Sequence, residues 1–305
     1  MTETTAFAAL AGVVGAAIGS FLNVCVSRWP AGLSVVAPRS RCPRCGRPIT
    51  WYENIPVVSW IALRAKCAGC GLPISVQYPA VELLVAALWA GAVVVSGPGF
   101  TALRLAVFAT LLLGIVLTDA QFFEIPDGFT VTGLVAGLGG ALASALMGDV
   151  GAPFAPLPDA LVGACAGAGL IAIAGWLGEV VLKREAMGFG DVTLMAMVGA
   201  HVGSWRSLLV VFAGALLGTV GIVAMRLVRP TALAPSAAAE RGTATEVEAD
   251  AAAAEPGLPA EGSLPEQALP FGVFLAPAAL VVLWWGDAAI AWYLRISGLE
   301  PPMPF

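Results

Sequence analysis

The chain has 305 residues, of which 59% are hydrophobic and only 11% charged, and its mean hydropathy is +0.88. A soluble domain carries about 25% charged residues, so a soluble enzyme or binding module is excluded and an integral membrane protein is implied. The net charge of −5 is local, because Pro235–Ala268 holds seven acids against one base; the remainder carries +1 and offers no nucleic-acid surface. Lipid forces backbone polar groups to pair internally, and the alternating pattern of a barrel is absent, so the spans are helices.

The first apolar run, Ala6–Val26, is long enough to cross a bilayer. Glu3 precedes it without any Lys or Arg, which is not the basic flank of a signal peptide, so a retained first helix is expected. Gly12, Gly15 and Gly19 predict close packing of this helix on another. Ser27–Pro79 follows as a polar loop with seven bases, from Arg28 to Lys66. Further apolar runs lie at Ala80–Val95, Ala102–Thr118, Gly128–Met147, Ala160–Leu182, Asp191–Val202, Ser207–Val228 and Phe271–Leu294. That makes eight spans. The Asp191–Val202 run is short against the ~20 residues a span needs, and an earlier start near Ala186 is expected. With eight spans and Met1 outside, twelve Lys/Arg fall on the cytoplasmic side and three (Arg104, Arg206, Arg295) on the other. This is the positive-inside bias. It places Asp119 and Asp191 at the cytoplasmic ends of their helices. Thr231–Ala268 is too poor in large apolar residues to bury a core and is expected to be disordered. Trp284, Trp285 and Trp292 fit an aromatic belt on the outer side.

The expected fold is therefore an all-α polytopic membrane protein of about eight transmembrane helices with a small zinc-binding cytoplasmic loop domain. Its parts are a first helix (1–26), a tetracysteine zinc domain (27–79), a transmembrane core (80–228), an acidic insert (229–269), and a last helix with its tail (270–305).

Four of the six cysteines form two pairs, Cys42-x-x-Cys45 and Cys67-x-x-Cys70, each followed by a glycine, Gly46 or Gly71. Four thiolates at this spacing suit a closed tetrahedral Zn²⁺ site. Redox disulfides are the alternative, and a reducing cytoplasm disfavours them. Cys25 and Cys165, in apolar runs, read as packing residues.

Ionisable groups inside apolar helices are costly unless something uses them. Asp119 ends one apolar run in Leu-Thr-Asp, and Asp191 opens another in Gly188-Phe189-Gly190-Asp191. Two carboxylates a few ångströms apart do not both ionise readily, so one can hold a proton while the other acts as base on a shared water. Gly188 and Gly190 would let a substrate backbone approach. The plain alternative is that each acid merely ends a helix. That suits Asp191 at an N-terminus but leaves Asp119 opposed to the dipole at a C-terminus. Asp127 is expected to cap the fourth helix, and Glu82 to compensate the dipole of the second. His201, the only histidine, is expected to be structural. Met187, Met195 and Met197 read as packing.

Taken together, these residues resemble the type IV prepilin peptidases. The resemblance rests on Gly19-Ser-Phe-Leu-Asn23, the tetracysteine loop, Glu53-Asn-Ile-Pro56 through Trp60, Tyr78-Pro79 through Leu83, and Asp119 with Ile125-Pro126-Asp127. Gly188–Asp191 and Pro270-Phe271-Gly272 complete it. It implies an intramembrane aspartyl protease of the bacterial inner membrane, with Asp119 and Asp191 catalytic and the 80–228 region as the protease core. It also implies removal of short basic leaders from prepilins and pseudopilins at the cytoplasmic face, in the setting of pilus or type II secretion machinery. The new N-terminus would then be methylated with S-adenosylmethionine. No cofactor motif marks the methyl-donor site, and oligomeric state is not implied. Thr193 departs from the family's usual Lys, and His201 stands where an aromatic is usual. Two other classes compete: a transporter with proton-carrying acids, whose site would lie near the midplane, and a non-catalytic zinc-bearing scaffold of a secretion apparatus.

Overall fold

A computed structural model describes residues 2–148, 152–183, 187–228 and 270–297. All regular elements among them are helical. The helices are α1 (Thr2–Arg28), α2 (Val58–Ala62), α3 (Gln77–Ser96), α4 (Phe100–Phe122), α5 (Asp127–Met147), α6 (Leu157–Leu182), α7 (Phe189–Val202), α8 (Ser204–Val228) and α9 (Gly272–Ile296), with a 3₁₀ turn at Trp51–Asn54. Seven are long and apolar enough to cross a membrane, and α7 is a shorter apolar helix. The eight expected apolar runs each become one helix, with ends shifted by a few residues. The α7 helix does not reach back to Ala186, which lies outside the described residues, as does Thr231–Ala268.

Local sequence explains the boundaries. Phe123 turns left-handed (φ 55°) and stops α4, while Pro126 sits extended before α5. Pro156 precedes α6, and Gly203 (φ 89°) separates α7 from α8. Asp127 is the first residue of α5, and Pro126 holds the cap position expected for it. In the first turn the acid still faces the favourable end of the dipole.

Close approach of backbones organises the bundle. A Cβ on Gly15 would lie 2.8 Å from Trp89 Cβ, and one on Gly19 the same distance from Glu82 Cα. The stripe of glycines therefore seats α1 along α3, as expected. A side chain on Gly163 or Gly199 would overlap the other residue's carbonyl, so α6 and α7 touch backbone to backbone. At 14 residues, α7 rises about 21 Å, less than the ~30 Å hydrocarbon core. It tolerates this because α5, α6, α8 and α9 surround it. Leu194, Met195, Met197 and Val198 are fully buried, and Met187 packs at the margin. Cys25 is buried as expected, but Cys165 is exposed on α6.

His201 is buried, its Nδ1 2.9 Å from the Met197 carbonyl. Its ring stacks on Phe108 with centroids 4.1 Å apart, so it fills an aromatic's place. Ten residues from Asp191 along α7, it lies about 15 Å away.

Candidate active site

The cysteine loop repeats one local design. In each half a cysteine N–H bonds a carbonyl five residues on (Cys42 to Arg47, Cys67 to Leu72, 2.9 and 2.8 Å), and a glycine N–H returns to the first cysteine's carbonyl. Gly46 (φ 68°) and Gly71 (φ 72°) supply the left-handed turn that this requires. The two knuckles bring all four sulfurs within 4.8 Å of one another. Cys42 Sγ and Cys70 Sγ are 3.9 Å apart, close to the edge of about 3.8 Å that four 2.3 Å zinc–sulfur bonds define. All four cysteines are free thiols. Backbone N–H groups of Cys70 and Gly69 pull the Cys67 thiol down to about 6, which favours the thiolate a metal needs. This cluster fits a bound metal ion.

The loop is fastened to the helices by residues whose role the sequence hides. Glu82 is the sixth residue of α3, buried, and accepts the Val57 N–H at 2.7 Å. It therefore tethers the loop and does not compensate the start of a helix. Val57 is held at φ 62°, a costly conformation for a β-branched residue. Asn23 donates to the Tyr78 carbonyl at 3.1 Å.

The two candidate acids come together at one end of the bundle. Asp119 sits in the last turn of α4, 5% exposed. Its Oδ2 accepts the Val273 N–H at 3.0 Å. The carboxylate thus lies at the N-terminus of α9, where charge is favoured. Its unfavourable place on α4 is offset by a second helix that no local pattern announces. Asp191 is the third residue of α7, half-buried. Its N–H bonds the Gly188 carbonyl at 3.1 Å, and its carboxylate lies in the first turn of the helix, where negative charge is favoured. Asp119 and Asp191 interact electrostatically with each other.

Ile125 packs between Gly190 of α7 and Gly272 of α9. A Cβ on Gly190 would lie 2.9 Å from Ile125 Cβ, and one on Gly272 would lie 2.9 Å from Asp119 Oδ2 and 3.0 Å from Ile125 Cδ1. Gly190 thus admits Ile125, and Gly272 admits the Asp119 carboxylate. Gly188 is exposed and faces open space, so it is the glycine that leaves room beside Asp191. Thr193 turns its hydroxyl back to the Gly190 carbonyl at 3.0 Å, within its own helix. Sequence reasoning misses Ile125 and the Val273 amide as site components. The only signal for that amide is that Pro270-Phe271-Gly272 precedes an apolar run.

The stems of the cysteine loop reach the same end. Trp29, just after α1, packs edge-on against Phe129 with centroids 4.4 Å apart. Gln77, opening α3, donates to Gln121 at 3.4 Å, two residues past Asp119.

A multi-helix membrane bundle that gathers two acids from different helices at one end, beside a four-thiol loop, is a polytopic membrane protein with a paired-carboxylate site. The comparisons agree. The profile described as "Bacterial Peptidase A24 N-terminal domain" matches residues 13–96, and that of the "Type IV leader peptidase family" matches residues 106–223. Relatives named prepilin leader peptidase/N-methyltransferase include one from Myxococcus xanthus, 40% identical over 71% of this chain. The match spans 63% of that relative's length. Those from Aeromonas salmonicida and Stutzerimonas stutzeri are 30% and 32% identical, covering 91% and 96% of this chain and 90% and 96% of their own length. No solved structure matches. The chain belongs to the type IV leader peptidase family.

Proposed function

We propose that this protein is a membrane aspartyl endopeptidase that removes the leader from prepilins and pseudopilins and then N-methylates the new terminus. Asp119 and Asp191 are its catalytic pair. One carboxylate, ionised, takes a proton from a water held between them, and the water oxygen attacks the scissile carbonyl. The other carboxyl donates its proton toward the carbonyl oxygen and steadies the tetrahedral intermediate. Collapse breaks the C–N bond, and the proton taken from water passes to the leaving amine. That amine becomes the new N-terminus. The amide of Val273 fixes the Asp119 carboxylate, while Gly188 leaves the approach to Asp191 open.

The metal of the loop is Zn²⁺, held by Cys42, Cys45, Cys67 and Cys70, with a structural role. When bound, S-adenosylmethionine supplies an electrophilic methyl group to the released amine. No strand occurs among the described residues, so a Rossmann-type donor site is not formed by them. Loop stems bordering the acid pair support performing the second step beside the first. The loop and both acids face the cytoplasm and Met1 lies outside, an orientation supported by the distribution of Lys and Arg. Zinc domain 27–79, protease core 80–228 and insert 229–269 are the working divisions, and the pilus or type II secretion machinery is the setting.

The observation that carries this function is the convergence of Asp119 and Asp191 from α4 and α7 at the N-terminus of α9. Purified protein is incubated with a prepilin peptide and S-adenosylmethionine, and the products are weighed by mass spectrometry. Leader loss followed by a gain of one methyl is expected. Asp119→Asn and Asp191→Asn should each lower cleavage by roughly 10²- to 10⁴-fold while the thermal transition stays put. Retained cleavage in either variant refutes the pair.

A further inference from the structure

A cavity of about 340 Å³ lies between α1 and the cysteine loop, lined by Ala17, Phe21 and Val24 below and Arg28, Arg39 and Asn54 above. Its position on α1 is informative. Gly15, Gly19, Leu22 and Val26 form the stripe that α1 turns toward its neighbours, with Leu22 and Val26 buried. At 3.6 residues per turn, Ala17, Phe21, Val24 and Arg28 fall on the opposite stripe. That stripe faces away from the bundle, where a membrane-spanning helix meets acyl chains.

The upper wall has the opposite character. Arg28 donates to the carbonyls of Ser34 and Pro38, each at 2.8 Å. These bonds fold the 34–38 arch over the cavity and leave the arginine's positive charge at its rim. Arg39 is exposed and has no hydrogen-bond or ion-pair partner among the described residues. The surrounding loop carries seven bases against one acid, Glu53, and that acid is already paired with Arg47 at 3.0 Å. The site therefore combines a helix face of Ala17, Phe21 and Val24, with Ser20 among them, and a cationic mouth where that helix ends.

We infer that this cavity binds an anionic phospholipid, its phosphate at Arg39 and Arg28 and one acyl chain along Ala17, Phe21 and Val24. Charge complementarity selects the headgroup, since bases beside a span attract anionic lipid. The apolar stripe selects a lipid over a soluble anion. The bound lipid would brace the arch that Arg28 holds. This inference does not depend on the proteolytic function.

The test is lipid retention by the full-length protein in detergent, read by native mass spectrometry. Phosphatidylglycerol and phosphatidylcholine with identical chains are titrated separately. One phosphatidylglycerol should be retained in several-fold preference. Arg39→Gln should weaken that retention about fivefold and leave phosphatidylcholine unchanged, whereas Lys66→Gln, on the same loop but not lining the cavity, should have no effect. Val24→Trp, which fills the cavity, should lower phosphatidylglycerol retention with metal content and thermal transition unchanged. If it disturbs folding, Ala17→Leu serves instead. Equal retention of the two lipids overturns the inference. So does an equal loss with Lys66→Gln, which reports diffuse charge, or no change with either Arg39→Gln or the cavity-filling variant. Glycerophosphoglycerol, the headgroup without chains, should fail to displace the lipid at equal concentration. Effective displacement would show an anion site and defeat the lipid assignment.

Discussion

Each acid is stabilised at this site by a different helix end. Asp191 is served by the start of its own helix, and Asp119 by the start of α9, whose Val273 N–H approaches to 3.0 Å. Position 272 is correspondingly intolerant. Gly272→Ala would place a Cβ 2.9 Å from Asp119 Oδ2, displacing the carboxylate or tilting α9. A misplacement of about 1 Å near reacting groups can cost on the order of 10²-fold in rate. Gly272→Ala is therefore expected to lower kcat for leader cleavage by one to two orders of magnitude, with Asp119 and Asp191 both present. A variant with unchanged kcat would show that Asp119 needs no such positioning.

The cysteine loop is small, and its attachment rests on a few polar contacts. Glu82 accepts a backbone N–H from the strained, half-buried Val57, and leaving that donor without its acceptor is destabilising. Glu82→Ala should accordingly make the 27–79 loop more sensitive to limited proteolysis, while cuts elsewhere are unaffected. Within the loop, Glu53 accepts the Thr50 N–H at 3.0 Å, the Thr50 hydroxyl at 2.8 Å and Arg47 Nη1 at 3.0 Å. These bonds, those from Thr50 foremost, hold its carboxyl below the usual carboxylate range. A depressed folded-state pKa stabilises above the unfolded value of about 4.3 and is lost as pH falls through the lowered one. Protease resistance of the loop should therefore fall below about pH 4.3 by more in the native protein than in Glu53→Gln, which has no such proton to take up. Parallel acid profiles would exclude this contribution.

At the scale of the whole molecule, two kinds of stability coexist. The bundle is held by buried apolar surface and glycine-mediated contact, as where α6 meets α7 at Gly163 and Gly199. The loop has little core of its own, and a metal held by its four thiols would supply folding energy. On the proposed zinc assignment, chelation or Cys42→Ser should lower metal content from about one zinc per chain and open the loop to protease, while the helical circular dichroism of the bundle persists. Leader cleavage should outlast methyl transfer in the stripped protein, because the acid pair belongs to α4 and α7. Simultaneous loss of both activities would place the loop inside the proteolytic machinery.

The sequence by itself determines much of this protein. Hydropathy alone marks the eight apolar helices, since a span announces itself by uninterrupted length. The Cys-x-x-Cys-Gly repeats mark the thiol cluster, because a knuckle is a local structure closed by its own glycine turn. Asp119 and Asp191 are legible as costly acids in apolar helices. What only the tertiary structure decides is which groups meet across the bundle. Val273 reaches Asp119 over 154 positions, Ile125 wedges between Gly190 and Gly272, and Glu82 holds Val57. These contacts depend on how helices cross, and helix crossing follows from packing around the whole bundle, to which no single stretch of sequence has access.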